Sequence, residues 1–191
     1  RNAVLFPHGM LPLAVGRPGS VAALAHAVQH GGLLGLVLQR DETEGEPGRE
    51  GLHDIGTLAR VLQHADGGDG QRHAMCQGLQ RFRVGPLVPG HPFLVAQALP
   101  LEEPAAASAR AEALALQIHQ RAAELLGLLQ GVPAEVVQAV QALRHPGQLA
   151  DVIAGLLDAE PAEKQGLLET LEPEPRLARL LEMLSRRIQV L

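Results

Sequence analysis

The sequence predicts an α+β protein in which a strand-rich half precedes a helical half. Up to residue 102, short apolar runs with alternating polarity are separated by glycine and proline, which is typical of antiparallel strands. From residue 105 onward, Ala, Leu, Gln and Glu dominate and the apolar spacing becomes helical. Strands gathered ahead of helices favour the α+β class over a doubly wound sheet. We therefore predict a β-rich subdomain over 1–102 and a helical subdomain over 105–191.

Two short strands are predicted at the front of the chain, on either side of a Pro-His-Gly turn. The first covers the β-prone run Val4–Phe6, whose extended geometry is favoured because the residue before a proline rarely adopts helical geometry. Pro7 ends this strand. The second covers Leu11–Val15, where large and small side chains alternate. Its Pro12 cannot donate a ladder hydrogen bond, so this strand is expected at a sheet edge.

Further elements of the first half follow from local patterns. They are a helix over Val21–His30, with Ser20 as its N-cap, and strands over Leu33–Gln39, Thr57–His64 and Phe93–Leu99, with one or two further strands within Gln71–Val84. Leu33–Gln39 is continuously apolar, which predicts burial on both faces. The glycine-rich Ala65–Gly70 predicts a hairpin turn, because glycine readily adopts positive φ.

Five helices are predicted in the second half from apolar side chains spaced three or four residues apart. They cover Ala105–Gln130, Ala134–Leu143, Gln148–Leu157, Pro161–Leu171 and Leu177–Leu191, with a stiff turn over Glu172–Pro175 before the last. The last apolar stripe reaches the final residue without a capping residue. We therefore expect the sequence to be a fragment of a longer protein, truncated within this helix.

Composition excludes several classes of protein. The 191 residues are 46% hydrophobic and only 2% aromatic, and the formal net charge is -5, so no nucleic-acid partner is expected. A single cysteine, Cys76, excludes an intrachain disulfide and fits a reducing, cytoplasmic location. No apolar run approaches the roughly 20 residues of a membrane helix, so no membrane partner is expected.

Catalytic and cofactor motifs are missing from the sequence. The only lysine, Lys164, lies between Glu163 and Gln165, so there is no P-loop, and no serine is favoured as a nucleophile beside it. His26 and His30 share a helix face and could hold a metal, but two solvated polar side chains are the favoured interpretation. We expect a non-catalytic chain without a cofactor or metal.

The order of short motifs resembles the amino-terminal domain of Lon-type ATP-dependent proteases. The run Val4-Leu5-Phe6-Pro7-His8-Gly9-Met10-Leu11-Pro12-Leu13, followed by Gly16-Arg17-Pro18, is similar to the start of that domain. Further similar segments are Gly56–Gln63, Gly78–Val84, Leu149–Ala154 and Lys164–Leu171. His8 is an additional residue relative to the family pattern, so we expect the turn to keep its place but to have a different backbone conformation there.

The resemblance implies both a fold and a role. The first half should resemble a PUA-like pseudo-barrel and the second half an α-helical bundle. The implied function is non-catalytic recognition and holding of unfolded or damaged polypeptides, with a part in oligomeric assembly. The implied partners are those polypeptides, the ATPase and protease modules of the same chain, and further copies in a ring of six.

Three residues are candidate peptide contacts: Met10, Leu11 and Phe93. Each lies near a proline-containing turn, where an apolar side chain is least certain to be buried. Core packing is the competing interpretation for each of them. Two other functions remain open: a module acting chiefly in assembly or gating, and a PUA-like RNA-binding module, which the net charge and the scarcity of aromatic residues disfavour.

Overall fold

The computed structural model describes residues 3–43, 45–105 and 108–191, and the chain forms two compact units, Arg1–Glu102 and Glu103–Leu191. In its described part, the first unit holds a five-stranded antiparallel sheet and one α-helix of 12 residues. The second unit is helical. The predicted α+β class is confirmed.

The sheet is assembled on one long strand. Its strands are β1 (Met10–Val15), β2 (Leu33–Leu36), β3 (Ile55–Asp66), β4 (Arg72–Leu87) and β5 (Ala96–Pro100), and helix α1 covers Pro18–Gln29. The order is β1-β4-β3-β2, and β5 also pairs with β4. Among the described strands β1 pairs with β4 alone, so it lies at an edge, as its Pro12 predicted.

The hairpin between β3 and β4 confirms the predicted glycine-rich turn. The Gly67 amide donates to the Gln71 carbonyl over 2.7 Å, and Gly70 has a φ of 79°. β4 then continues to Leu87, so the predicted end of this strand at Val84 is wrong. Pairing with β5 extends the hydrogen-bonded ladder to this end of β4. β5 itself begins at Ala96 rather than at the predicted Phe93, so Phe93 lies outside the strand.

The predicted first strand, Val4–Phe6, is not a strand, although all three residues are buried. Thr57 fixes this segment, since its hydroxyl donates to the Leu5 carbonyl over 2.6 Å. The following turn is held on β4, where the His8 amide donates to the Gly78 carbonyl over 3.0 Å. His8 has a φ of 66°, the only positive φ of a non-glycine residue in the described chain.

Two local predictions near α1 are wrong. The helix begins at Pro18 rather than after Ser20, because proline suits the first helical position. β2 ends at Leu36, and its side chains alternate in exposure instead of being buried on both faces. Leu33, for example, is 46% exposed.

The helical unit contains α2 (Ala109–Leu128), α3 (Ala134–Ala142), α4 (Pro146–Leu156), α5 (Pro161–Glu169) and α6 (Pro173–Val190). Ser108 caps α2 by accepting from the Ala111 amide over 3.0 Å. The predicted start at 105 is too early, and residues 106 and 107 within that prediction lie outside the described residues. The turn predicted over Glu172–Pro175 is also wrong, because its prolines lie in the first turn of α6.

A buried ionic network joins α4 and α6. Arg176 and Asp151 are both fully buried, and the Arg176 Nη1 donates to the Asp151 Oδ1 over 3.0 Å. The Nη2 of the same guanidinium donates to the Glu103 carboxylate. Separating the partners would leave buried charges unpaired, which is costly. The network therefore holds α4, α6 and the start of the unit together.

Replacing Arg176 with Met should lower the free energy of unfolding by about 3–5 kcal/mol, because Asp151 would keep a buried charge without its guanidinium. Urea denaturation followed by circular dichroism measures this loss. The matched control is Asp158→Ala, which removes the exposed Arg187–Asp158 pair and should cost at most about 1 kcal/mol. Equal effects of the two variants would contradict the prediction.

Replacing His8 with Gly should stabilise the first unit by about 0.5–1 kcal/mol, because relief of the positive φ exceeds the entropy cost of glycine. The same change at His64, a residue of strand β3 with ordinary φ, should be destabilising. Thermal unfolding of both variants tests the difference in sign. A loss of stability at both positions would show that the His8 conformation is not strained.

Candidate functional site

The outward side of the edge strand β1 is apolar. Met10, Pro12 and Ala14 are exposed, and the alternate residues Leu11, Leu13 and Val15 are half-buried. These inward residues pack against the core cluster Leu5, Leu24, Ala59, Ala74 and Cys76. One face of β1 therefore supports the core and the other remains available to a ligand.

The outward apolar side continues across three strands. Pro12 lies opposite Met75 of β4, and Met75 lies opposite Gln63 of β3. Two residues along, Ala14, His73 and Ala65 form a second row in the same way. Because directly paired residues project to the same side of a sheet, these rows form one surface. We call Met10 and the six residues of the two rows the edge-strand face.

A groove of about 370 Å³ opens at the edge-strand face. It is lined by Pro12, Leu13, Ala14, Gln63, His64, Ala65, His73, Ala74 and Met75. No Asp, Glu, Lys or Arg is among these residues, so the lining does not select for a charged ligand. The unbranched Met75 side chain can adapt its shape, while Gln63 and His73 can hydrogen bond. The groove thus suits apolar side chains attached to a peptide backbone.

The structure separates the three predicted contact residues. Met10 is 55% exposed and belongs to the edge-strand face. Leu11 lies on the opposite side of β1, half-buried against the core. Phe93 lies in the segment before β5, with its ring centroid 5.1 Å from that of His26 and 5.8 Å from that of His91.

Pro12 and Met75 are candidate contacts that were not predicted from the sequence. The alternation that places Leu11, Leu13 and Val15 on one side of β1 also places Pro12 on the other side, so the position of Pro12 could have been predicted from the sequence. No local pattern marks Met75, because its place depends on the register between β1 and β4.

Two pairs of histidines lie in this unit, His26 with His30 and His64 with His73. The His26 and His30 rings are stacked at 4.0 Å and 18°, so their nitrogens lie in nearly parallel planes and do not converge. His64 and His73 both line the groove, but His64 pairs with Ala74 and is not directly opposite His73. Within residues 3–43, 45–105 and 108–191, no three His, Cys, Asp or Glu side chains are arranged to hold a metal ion.

Cys76 is a core residue of β4 rather than an exposed thiol. It is fully buried, and this desolvation raises the pKa of its thiol above the ordinary 9.0. Just before β3, a hydrogen bond from the Arg49 guanidinium lowers the pKa of Asp54, although partial desolvation opposes the shift.

Among the described residues, no helix is both long enough and apolar enough to cross a bilayer. The first unit carries an uncharged, mostly apolar groove at the edge of its sheet. Ligand sites are commonly concave and mostly apolar, so this groove is a candidate binding surface.

Comparison with known proteins gives the family. Residues 1–186 match the family described as the ATP-dependent protease La (LON) substrate-binding domain. The Lon protease of Phenylobacterium zucineum is 43% identical over 189 residues, which cover 98% of this chain and 24% of that protein. The Lon protease of Paraburkholderia phytofirmans is 43% identical over 192 residues, or 100% of this chain and 24% of that protein.

Solved structures agree with this assignment. The N-terminal domain of Mycobacterium avium complex Lon protease superposes with a TM-score of 0.76 at 25% sequence identity, covering 96% of this chain and 94% of that one. The chain belongs to the family of Lon substrate-binding domains. It spans about a quarter of the length of the curated relatives it matches, the non-catalytic part, as the sequence analysis predicted.

Burial of Cys76 should make stability fall in alkaline solution. The folded thiol holds its proton to higher pH than the unfolded one, so as pH rises through 9.0 the unfolded chain ionises first and the free energy of unfolding decreases. Urea titrations from about pH 8 to 10 should show this decrease, and it should be smaller in Cys76→Ala. Parallel pH profiles for the two proteins would contradict the prediction.

Proposed function

We propose that this chain recognises and holds unfolded or damaged polypeptides for a Lon-type ATP-dependent protease. The observation that carries the proposal is the edge-strand face, where Pro12 and Met75 line an uncharged groove of about 370 Å³ and Met10 lies exposed on the same side of β1. Folded proteins keep most large apolar side chains inside, whereas unfolded chains present them. A surface that binds such side chains therefore distinguishes the two states.

Side-chain contacts should supply the affinity, rather than addition of a peptide strand to β1. Pro12 has no amide hydrogen, so it interrupts the donor row that an added strand would need. Binding through apolar side chains tolerates many sequences, which suits a protein that receives varied unfolded chains. Leu11, which packs towards the core, would support β1 from behind rather than touch the ligand.

A single small groove binds weakly, and assembly would compensate. Several copies arranged in a ring of six would raise the effective concentration of binding surfaces along one substrate chain. The proposed partners are accordingly unfolded polypeptides, the ATPase and protease modules of the parent chain, and further copies of it in the cytoplasm. The domain would thus contribute to both substrate capture and assembly.

Replacing Met10 and Met75 with Ser should weaken binding of an unfolded, apolar-rich polypeptide about tenfold, because roughly 1–2 kcal/mol of apolar burial is lost. NMR titration of the isotope-labelled chain measures the affinity and locates the contact. In the wild type, shifts should concentrate on the edge-strand face, and a folded control protein should cause none.

The matched control variant is Leu99→Ser, since Leu99 is 61% exposed on β5 and lies outside the groove lining. It should leave the affinity unchanged. Equal binding by the wild type and the Met10/Met75 variant would refute the edge-strand face as the contact surface. Absence of binding to any unfolded polypeptide would favour a role chiefly in assembly or gating.

A further inference from the structure

Positive charge is concentrated on the first unit beside the start of β3. Arg40, Arg49 and Arg83, which we call the arginine cluster, lie around the carboxylate of Asp54. The Arg49 Nη2 is 2.7 Å from the Asp54 Oδ1, and the Arg40 Nη2 is 3.6 Å from the Asp54 Oδ2. Arg83 is exposed, and its charge contributes to the lowered pKa of Asp54. Three guanidinium groups around one carboxylate leave a local net charge of +2.

Backbone carbonyls hold two of the arginine side chains in place. The Leu52 carbonyl accepts from the Arg40 Nε over 3.1 Å and from the Arg49 Nη1 over 3.4 Å. The Arg49 Nη2 also donates to the Val84 carbonyl over 2.9 Å, and the Val84 amide donates to the Asp54 carbonyl over 2.8 Å. The cluster is thus ordered without a ligand, so binding would immobilise few additional side chains.

The arginine cluster retains donors for a further anion. The side chains of Arg40 and Arg49 are 47% and 30% exposed. Each guanidinium has five N–H groups, and the contacts with Asp54 and the two carbonyls use only part of them. The planar guanidinium matches the geometry of a carboxylate, to which it can donate two parallel hydrogen bonds. The cluster therefore suits an acidic side chain.

Strand β4 connects the arginine cluster with the groove. Met75, which lines the groove, and Arg83 are eight residues apart on this strand. Their neighbours Cys76 and Val84 are buried, so both side chains lie on the outer side of the sheet. At about 3.4 Å per residue, the two positions are at most about 27 Å apart. An extended polypeptide covers this distance with roughly eight residues.

From this arrangement we infer that the arginine cluster binds acidic side chains of the same unfolded polypeptide whose apolar side chains occupy the groove. The ligand is one chain with an apolar segment and, roughly eight or more residues away, a segment with Asp or Glu. A polypeptide is favoured over a nucleic acid because the cluster shares a strand with the uncharged groove and the chain has a formal net charge of -5. The inference rests on the proposed function and deepens it, since it adds a charged contact to the apolar one.

Peptides that carry both kinds of segment test the inference with the full 191-residue chain. Each rhodamine-labelled peptide joins an apolar segment to a short run of Asp or of Asn through a Gly/Ser spacer, and fluorescence anisotropy measures its affinity. With a spacer of about 12 residues, the Asp peptide should bind about tenfold more tightly than the Asn peptide at low salt. A spacer of about two residues cannot reach both sites, so this ratio should fall to about twofold. Salt of about 0.5 M should also reduce the ratio, because it screens exposed charges.

Two variants test the arginine cluster itself. Arg40→Gln combined with Arg83→Gln removes two positive charges and should lower the Asp-to-Asn affinity ratio to about twofold. Asp54→Asn keeps an acceptor oxygen but removes the competing negative charge, and should raise the ratio about threefold. The matched control is Arg72→Gln at the other end of β4, where Arg72 pairs with Asp66 at 3.2 Å, and it should leave the ratio unchanged. The affinity for the Asn peptide should be the same in all of these proteins, which verifies that the groove is intact.

The outcomes distinguish this inference from the proposed function. Equal affinity for the Asp and Asn peptides, a ratio that does not depend on spacer length, or an equal loss in Arg72→Gln would overturn the arginine cluster as a contact and leave the edge-strand face intact. Failure of every peptide to bind would overturn the proposed function and, with it, this inference. An RNA oligonucleotide that binds more tightly than the Asp peptide, and loses this affinity in the double variant, would overturn the inference in favour of nucleic acid. Loss of the ratio in the double variant, with a gain in Asp54→Asn, would establish the contact.

Discussion

Strand β4 is the constraint on which the first unit depends. It runs from Arg72 to Leu87, and it pairs with β1 along its first part, with β3 as far as Arg83 and with β5 towards its end. Gly78, near its middle, lies so close to the Phe6 carbonyl that a Cβ there would collide with it, so the irregular segment before β1 packs directly onto the strand. The positions of the front turn, the edge strand and the core follow from this one element.

The edge-strand face owes its apolar character to the alternation along one strand. Alternation along β1 places Leu11, Leu13 and Val15 against the core and leaves their neighbours outside. A cluster of rings in the same unit instead collects side chains from the end of α1 and from the loop before β5, where His26 contacts both His30 and Phe93. The first surface depends on strand pairing and the second on the packing of a loop against a helix end.

The helical unit depends on a different interaction. Its long helices α2 and α6 each present an apolar stripe to the core. These stripes include Ile118 of α2 and Leu177 and Leu180 of α6. Arg176 is buried among them and forms an ion pair with Asp151. A buried ion pair adds little net stability, but it fixes which helix faces meet, because a shifted packing of the helices would leave the two charges unpaired. Apolar packing supplies the driving force here and the ion pair supplies specificity.

By itself, the sequence determined the α+β class, the strand-then-helix order, the edge position of β1 and the glycine-rich hairpin, because these follow from periodicity, proline chemistry and positive φ. Short motifs in the correct order also indicated the family. Only the tertiary structure decided that Val4–Phe6 is buried without being a strand and that Met75 shares a surface with Pro12. It also brought Phe93 to His26. The physical reason is that strand register and loop packing join residues about 60 positions apart, and no local pattern records such contacts.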